Sequence, residues 1–259
     1  FKNGEGAMFR HSGGLTLRFE DGVFENLGKV ELAGRTSLNG HVFLNRTTGT
    51  LEIQEGGSLR RASDSAALLE NQGGTVRKTG AGESSVAVAL RSESGLIEVE
   101  EGELIIDSNA TFTDSGIIRI AKEAKLSLTG ESQQFSESYL VEGMEEFGAG
   151  GVFELRETEL QFAGQRFEIN LGSSFDPDFE TSVFALVDSK ISSGDQFFVT
   201  GNMHWESGTI AVAEFRHFSF GQMDTARADI LLIEGDGIHR FENSKGALSG
   251  LVMQREQLQ

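Results

Sequence analysis

Three observations predict an all-β chain wound as a parallel β-solenoid, about 12 coils with a 21–25-residue period. Short apolar runs alternate at every second residue, the period of a half-buried strand. These runs recur behind a turn glycine at near-constant spacing. The 259 residues hold 33 glycines and a single proline, a composition that supplies many turns while leaving strand N–H groups free to pair.

Taken in chain order, the repeats are GKVEL from Gly28, GTLEI from Gly49, GTVRK from Gly74, GLIEV from Gly95 and GIIRI from Gly116, spaced 21, 25, 21 and 21 residues apart. A second turn follows at Gly34, Gly57, Gly80 or Gly82, and Gly102. Upstream of each lies a large apolar residue, usually followed by Asn, Asp or Ser: FEN at Phe24, FLN at Phe43, LEN at Leu69, LRS at Leu90 and FTD at Phe112. One such unit buries too little to fold alone, so it must stack on its neighbours. Stacking predicts an interior column of Val30, Leu51, Val76, Ile97 and Ile118, and a second of the Phe/Leu residues, with φ > 0 at the corner glycines. At about 4.8 Å per coil, about 12 coils make a rod of roughly 55–60 Å. A hairpin within Gly95–Phe112 is the rival local reading. It would set Ile97 beside Leu104 or Ile106 instead of Val76 and Ile118.

The second half loses the glycine register and keeps a bulky one: Phe112, Phe135, Phe153, Phe175, Phe197, Phe218 and Phe241, with Phe162 and Phe184 as a further pair at 22. Residues 1–137 are therefore read as regular coils and 152–259 as a less regular, Phe-rich continuation. Residues 138–151 are read as an irregular acidic loop or junction. Ser63–Glu70 reads as a longer loop or a short helical turn, and Leu251–Gln259 as a helix fragment or a frayed end.

GTVRKTGAGESSVAVAL, residues 74–90, resembles the autotransporter-associated β-strand repeat, carried by Lys78-Thr79-Gly80-Ala81-Gly82; GTLEIQEGGSL and GLIEVEEGELII resemble its companion segments. The resemblance spans about residues 24 to 130. It implies a right-handed β-helix serving as stalk, passenger or adhesin of a bacterial surface or secreted protein. Glu83-Ser84-Ser85 departs from the family's apolar alternation.

Composition narrows the function classes. With no cysteine, neither a disulfide framework nor a thiolate metal site is available. A net charge of -18 repels phosphate backbones and argues against nucleic-acid binding. No run of 18 or more apolar residues exists to insert directly into a bilayer. The start at Phe1, in mid-pattern, suggests a piece of something longer.

Candidate chemistry is sparse. Asp176, Asp178 and Glu180 form a dense acidic group that suits Ca²⁺, which takes several oxygen ligands from one loop; a solvated acidic loop is the plainer reading. Glu142, Glu145 and Glu146 are the other such group. Glu98, Glu100, Glu101 and Glu103 read as plain outer surface. His204 beside Trp205, the only tryptophan, offers an aromatic platform for sugar; the alternation of GNMHWESGTI also fits a core or edge residue. Asn45 and Asn109 head glycosylation sequons. The basic pairs Arg60–Arg61 and Arg77–Lys78 have no evident chemistry. No phosphate loop or nucleophile elbow is present, and the five histidines show no metal-binding spacing.

The sequence thus points to a non-enzymatic, extracellular or cell-surface β-solenoid without a catalytic set or cofactor. Its expected partners are other domains of the same long chain or copies assembled end to end, with surface glycans or host proteins on its outer faces. A carbohydrate-active or carbohydrate-binding domain is the alternative, and a trimeric fibre a third.

Overall fold

The computed structural model describes residues 1–17, 22–62, 66–114, 116–122, 124–136, 139–144, 152–156, 158–162, 166–170, 183–187, 189–192, 196–200, 202–205, 208–212, 214–218, 223–224, 231–234, 238–242 and 251–254. Among these residues there is no helix. Each of the first ten turns gives one strand to each of three parallel sheets, A, B and C, which hold 12, 11 and 10 strands among the described residues. The fold is a parallel β-solenoid with a period near 22. Strands from Lys2–Asn3 to Val152–Arg156 make up its first seven turns.

One turn shows how sequence becomes shape. Ala89–Glu93 lies in sheet A, Leu96–Val99 in sheet B and Glu103–Ile106 in sheet C, and Ala110–Thr113 re-enters sheet A one layer on. The glycine turn between Leu96–Val99 and Glu103–Ile106 is therefore a corner and not a hairpin. Gly102 there has φ +70°, a conformation L side chains rarely adopt. Ile97 pairs in register with Val76 on one side and Ile118 on the other. The column continues through Leu51 and Val30, and all five side chains are buried.

The Phe/Leu column runs as expected for four turns, Phe24, Phe43, Leu69 and Leu90, and then changes residue type. Leu90 meets Ala110, and Phe112 instead aligns with Ser92, two residues along the strand. Phe112 belongs to a second inward column that begins Asn3, Asn26, Asn45, Asn71, Ser92 and continues to Phe135, with Phe162 next in backbone register. The Phe spacing of the second half mixes sheets. Phe135 is in sheet A, Phe153 pairs with Phe184 in sheet C, and Phe197 lies between Phe167 and Phe215 in sheet B. Phe162 and Phe184 consequently do not pair; Phe175 lies outside the described residues.

The corner glycines owe their presence to space more often than to φ. Gly28, Gly49, Gly74, Gly95 and Gly116 lack a positive φ. A Cβ on Gly49 would stand 2.5 Å from Asn26 O and from Asn45 Oδ1, and one on Gly74 would stand 2.5 Å from Arg46 O and Asn45 Nδ2. On Gly95 it would overlap the Asn71 amide. The asparagine column and the glycine column thus fill one volume between them. Where the asparagines give way to Phe112 and Phe135, the glycine column gives way to Tyr139, Phe167 and Phe197. The rings of Phe112 and Phe135 stack at 4.3 Å and 9°, and Tyr139 meets both edge-on. Burial pushes the Tyr139 phenol up in pKa. This exchange is why the glycine register fades from the sequence while the coil geometry persists.

Three further expectations shift. Tyr139–Gly143, at the start of the supposed junction, is a sheet B strand paired with Ile117–Ile120 and Arg166–Asn170. Its alternation of Tyr139 and Val141 inward suits that role. Of Ser63–Glu70, read as a longer loop or a short helical turn, residues 68–70 belong to the sheet A strand Leu68–Gln72, which carries Leu69 and Asn71 into their columns. Leu251–Gln254 is likewise a strand, paired with Leu231–Glu234.

Candidate functional site

The asparagine column is a hydrogen-bonded ladder. Asn3 Nδ2 donates to Asn26 Oδ1, Asn26 Nδ2 to Asn45 Oδ1 and Asn45 Nδ2 to Asn71 Oδ1, each at 2.8 Å. Each of these three amides also donates to a backbone carbonyl of the following turn: Lys29, Thr50 and Thr75 respectively, at 3.0–3.2 Å. Asn71 Nδ2 ends the run on Ser92 Oγ at 3.4 Å. A buried amide is costly unless paired, and this stacking pairs it on both sides. It also occupies Asn45, which is fully buried, so that sequon is closed to modification. Asn109 is exposed.

The outer face of sheet B carries a matching ladder of charge. Register aligns Arg10, Glu31, Glu52, Arg77, Glu98, Arg119 and Glu142 in one column. Lys29 Nζ bridges the two adjacent carboxylates, 2.7 Å from Glu31 and 2.9 Å from Glu52. Arg77 reaches Glu98 at 2.8 Å and Glu100 at 3.1 Å, and Arg119 reaches Glu142 at 2.8 Å. Glu98 is only 7% exposed, so it is not the plain surface residue the sequence suggested. Arg10 first, then Lys29, holds the Glu31 carboxyl below the ordinary value. Burial pushes Glu52 up, but hydrogen bonds from Gln54 and Lys29 outweigh it and leave its pKa lowered. In sheet C, Lys125 sits between Glu103 at 3.3 Å and Glu154 at 3.0 Å.

A concavity lies along the corners leading from sheet C to sheet A. It encloses about 510 Å³ between Arg61, Asp107, Asn109, Thr129 and Glu131, over a floor of alanines that includes Ala87 and Ala89. Its cause is unequal corner length. Only Val88 separates Glu83–Ala87 from Ala89–Glu93, whereas three residues separate Glu103–Ile106 from Ala110–Thr113 and Lys125–Leu128 from Ser132–Phe135. The short corner sits in a notch. The walls are pinned: Ser108 Oγ donates to Val88 O at 2.6 Å, Thr129 Oγ1 to Asp107 Oδ1 at 3.3 Å, and the Ser132 N–H to Asn109 Oδ1 at 3.1 Å. Beneath them the Gln133 amide donates to Ser108 O at 3.1 Å. This is a polar rim over a small apolar floor, able to accept and donate hydrogen bonds to an extended polar ligand.

Of the residues singled out from the sequence, Arg61 and Asn109 line this groove. Backbone register sets His204 opposite Ala185 and Trp205 opposite Leu186, the latter in line with the interior column of Ile106, Leu128 and Leu155. Asp176, Asp178 and Glu180 lie outside the described residues, as do Glu145 and Glu146. Among the described residues no group of three or more His, Asp or Glu is placed to hold a metal ion. Also among them, no helix is long and apolar enough to cross a membrane. The sequence reading missed the groove, whose signal is corner length, and the ladder, whose signal was the Asn in FEN, FLN and LEN.

The class defined by this geometry is a three-sheet parallel β-solenoid with an asparagine ladder, a charged outer face and a corner groove. No protein family, curated protein or solved structure matches the chain.

Proposed function

We propose that this chain is a structural and adhesive segment, a right-handed solenoid of about 12 coils within a longer extracellular or cell-surface bacterial protein, without enzymatic activity. Continuous in-register stacking is the observation that carries the reading. Interior columns, the amide ladder and the outer charge ladder all run along the axis, so load is shared by every turn and the outer faces repeat at a fixed pitch. Partners are adjacent domains or a second copy joined end to end. Phe1 and Met8, both 59% exposed on the first described turn, are the apolar surface that such a joint would cover.

Light scattering over a wide concentration range tests this. The expected result is concentration-dependent growth that Phe1→Glu with Met8→Lys abolishes. A strictly monomeric chain, or growth indifferent to the two substitutions, overturns the end-to-end part. The groove favours a second reading, a docking site for surface glycan along the sheet C to sheet A corners; Ala87→Arg, which would fill its floor, is expected to abolish glycan-array binding without lowering the unfolding midpoint.

A further inference from the structure

Lys78 interrupts an aliphatic column. Its register neighbours in sheet B are Ile53 and Val99, followed by Leu32 and Ile120, and Lys78 is as fully buried as they are, at 0% exposure. An ammonium group taken out of water is tolerated only where its protons are matched by acceptors. Here the match is complete. Lys78 Nζ donates to Thr79 O at 2.8 Å, to Gly80 O, and to Glu101 O of the following turn at 3.1 Å. An ammonium has three protons, and all three are used. The acceptors come from two successive corners, so the group ties one turn to the next.

The corner is shaped for this arrangement. Gly80 has φ +82° and Gly102 φ +70°, and the carbonyls of Gly80 and Gly82 crowd the space a Cβ on Gly102 would take. Small residues let the carbonyls turn inward and converge. Neighbouring corners, with Ile53 or Ile120 in the same column, satisfy their carbonyls by other means. The Gly57 N–H and Ser84 Oγ donate to Gln54 O at 2.8 and 2.7 Å, and the Ala124 N–H donates to Ala121 O at 3.1 Å. Glu101 and Glu55 add a favourable field around the ammonium, although burial outweighs it and lowers the lysine's pKa.

We infer that the corner of Thr79, Gly80 and Glu101 is a built site for a small hydrogen-bonding cation, which the chain fills with its own Lys78 ammonium. The motif Lys78-Thr79-Gly80-Ala81-Gly82 is then the site and its ligand in one segment. Ammonium or methylammonium is the chemical class it takes when the tether is shortened. The inference stands independently of the proposed adhesive role.

Lys78→Ala, compared with Lys78→Met, tests it by thermal unfolding in matched chloride salts. Lys78→Met fills the volume without supplying protons, and its midpoint is expected to fall by about 5–10 °C and to ignore the cation. Lys78→Ala is expected to fall similarly and to regain several degrees in ammonium or methylammonium, but not in sodium or in tetramethylammonium, which has no proton to donate. Equal response to all four salts, or a Lys78→Met midpoint at the wild-type value, overturns the inference. A wild-type measurement holds if both variants fail to fold. The Lys78 Nζ protons should exchange slowly by lysine-selective ¹⁵N NMR and resist acetylation in the folded chain. Exchange as fast as that of Lys29, whose side chain is 36% exposed, overturns it as well.

Discussion

Replacing Asn45 by alanine removes the centre of the amide ladder. Two donated bonds are lost, to Asn71 Oδ1 at 2.8 Å and Thr75 O at 3.0 Å, along with one accepted from Asn26 Nδ2 at 2.8 Å. At about 1 kcal/mol net for each, the loss is about 3 kcal/mol. Asn71 Oδ1 is left buried without that donor, so the expected cost rises to about 3–4 kcal/mol. Asn3 loses two donated bonds, to Asn26 Oδ1 and Lys29 O, for about 1–2 kcal/mol. Ser92 Oγ accepts a long bond from Asn71 Nδ2 at 3.4 Å, and its loss in Ser92→Ala should cost about 0.5 kcal/mol.

The series is therefore graded, Asn45 above Asn3 above Ser92, and the grading carries the reasoning more than any single value. Urea unfolding followed by circular dichroism gives the ranking, provided the m-value is unchanged. Hydrogen exchange at the amides of Val30, Leu51 and Val76 shows whether loss is local to the flanking turns, as stacked repeats allow. A double variant of Asn45 and Asn71 should cost less than the sum of the two, because they share one bond. A flat series, or an Asn45→Ala cost under about 1 kcal/mol, would refute the claim that the ladder contributes to stability.

Two further outcomes are expected. Gly95→Ala forces its Cβ into the Asn71 amide and should lower the unfolding midpoint sharply, whereas pairing it with Asn71→Ala should restore part of the loss, as thermal melts of the single and double variants would show. Acid should unfold the chain through its outer charge ladder: Glu31 and Glu52 have pKa values lowered from 4.5, so the folded state binds fewer protons, and this stability is present above about pH 4.5 and lost as pH falls through the folded values. Pulling Lys29→Met out of the ladder should flatten the midpoint-versus-pH curve in that window; an unchanged curve would count against the assignment.

Much of the fold was legible because its strongest signal is local. Alternation plus a turn glycine placed Val76, Ile97 and Ile118 in one column, and register agrees residue by residue. The Phe series was less legible for a geometric reason. A turn has three sheets with inward positions on each, so spacings near 22 arise between residues on different faces whenever corner lengths vary. Phe135 and Phe153 are 18 apart and on different sheets. Site chemistry was harder still. Arg77 and Lys78 look alike as a basic pair, yet alternation sends Arg77 out to Glu98 and Lys78 in to three carbonyls. The groove depends on a one-residue corner at Val88 beside longer ones, visible only once all three strands of each turn are placed.

The unlike columns solve a problem that the like ones create. Val76, Ile97 and Ile118 are nearly interchangeable, so aliphatic burial alone does not forbid a coil from stacking on the wrong neighbour while an intervening coil loops out. Such an error would set Asn71 against Phe112 in place of Ser92, leaving a buried amide without its partner at a cost of about 1–3 kcal/mol. A skipped coil next to Lys78 would likewise separate its ammonium from Glu101 O, and the penalty for an unmatched buried cation is larger. The amide ladder, its replacement by Phe112 and Tyr139 within a turn or two, and the interior lysine Lys78 therefore mark individual layers of an otherwise uniform stack. Variants with aliphatic residues at Asn26, Asn45 and Asn71 should accordingly refold to a mixture of compact species even where their total burial rises, and native mass spectrometry with limited proteolysis would resolve the mixture from a single state.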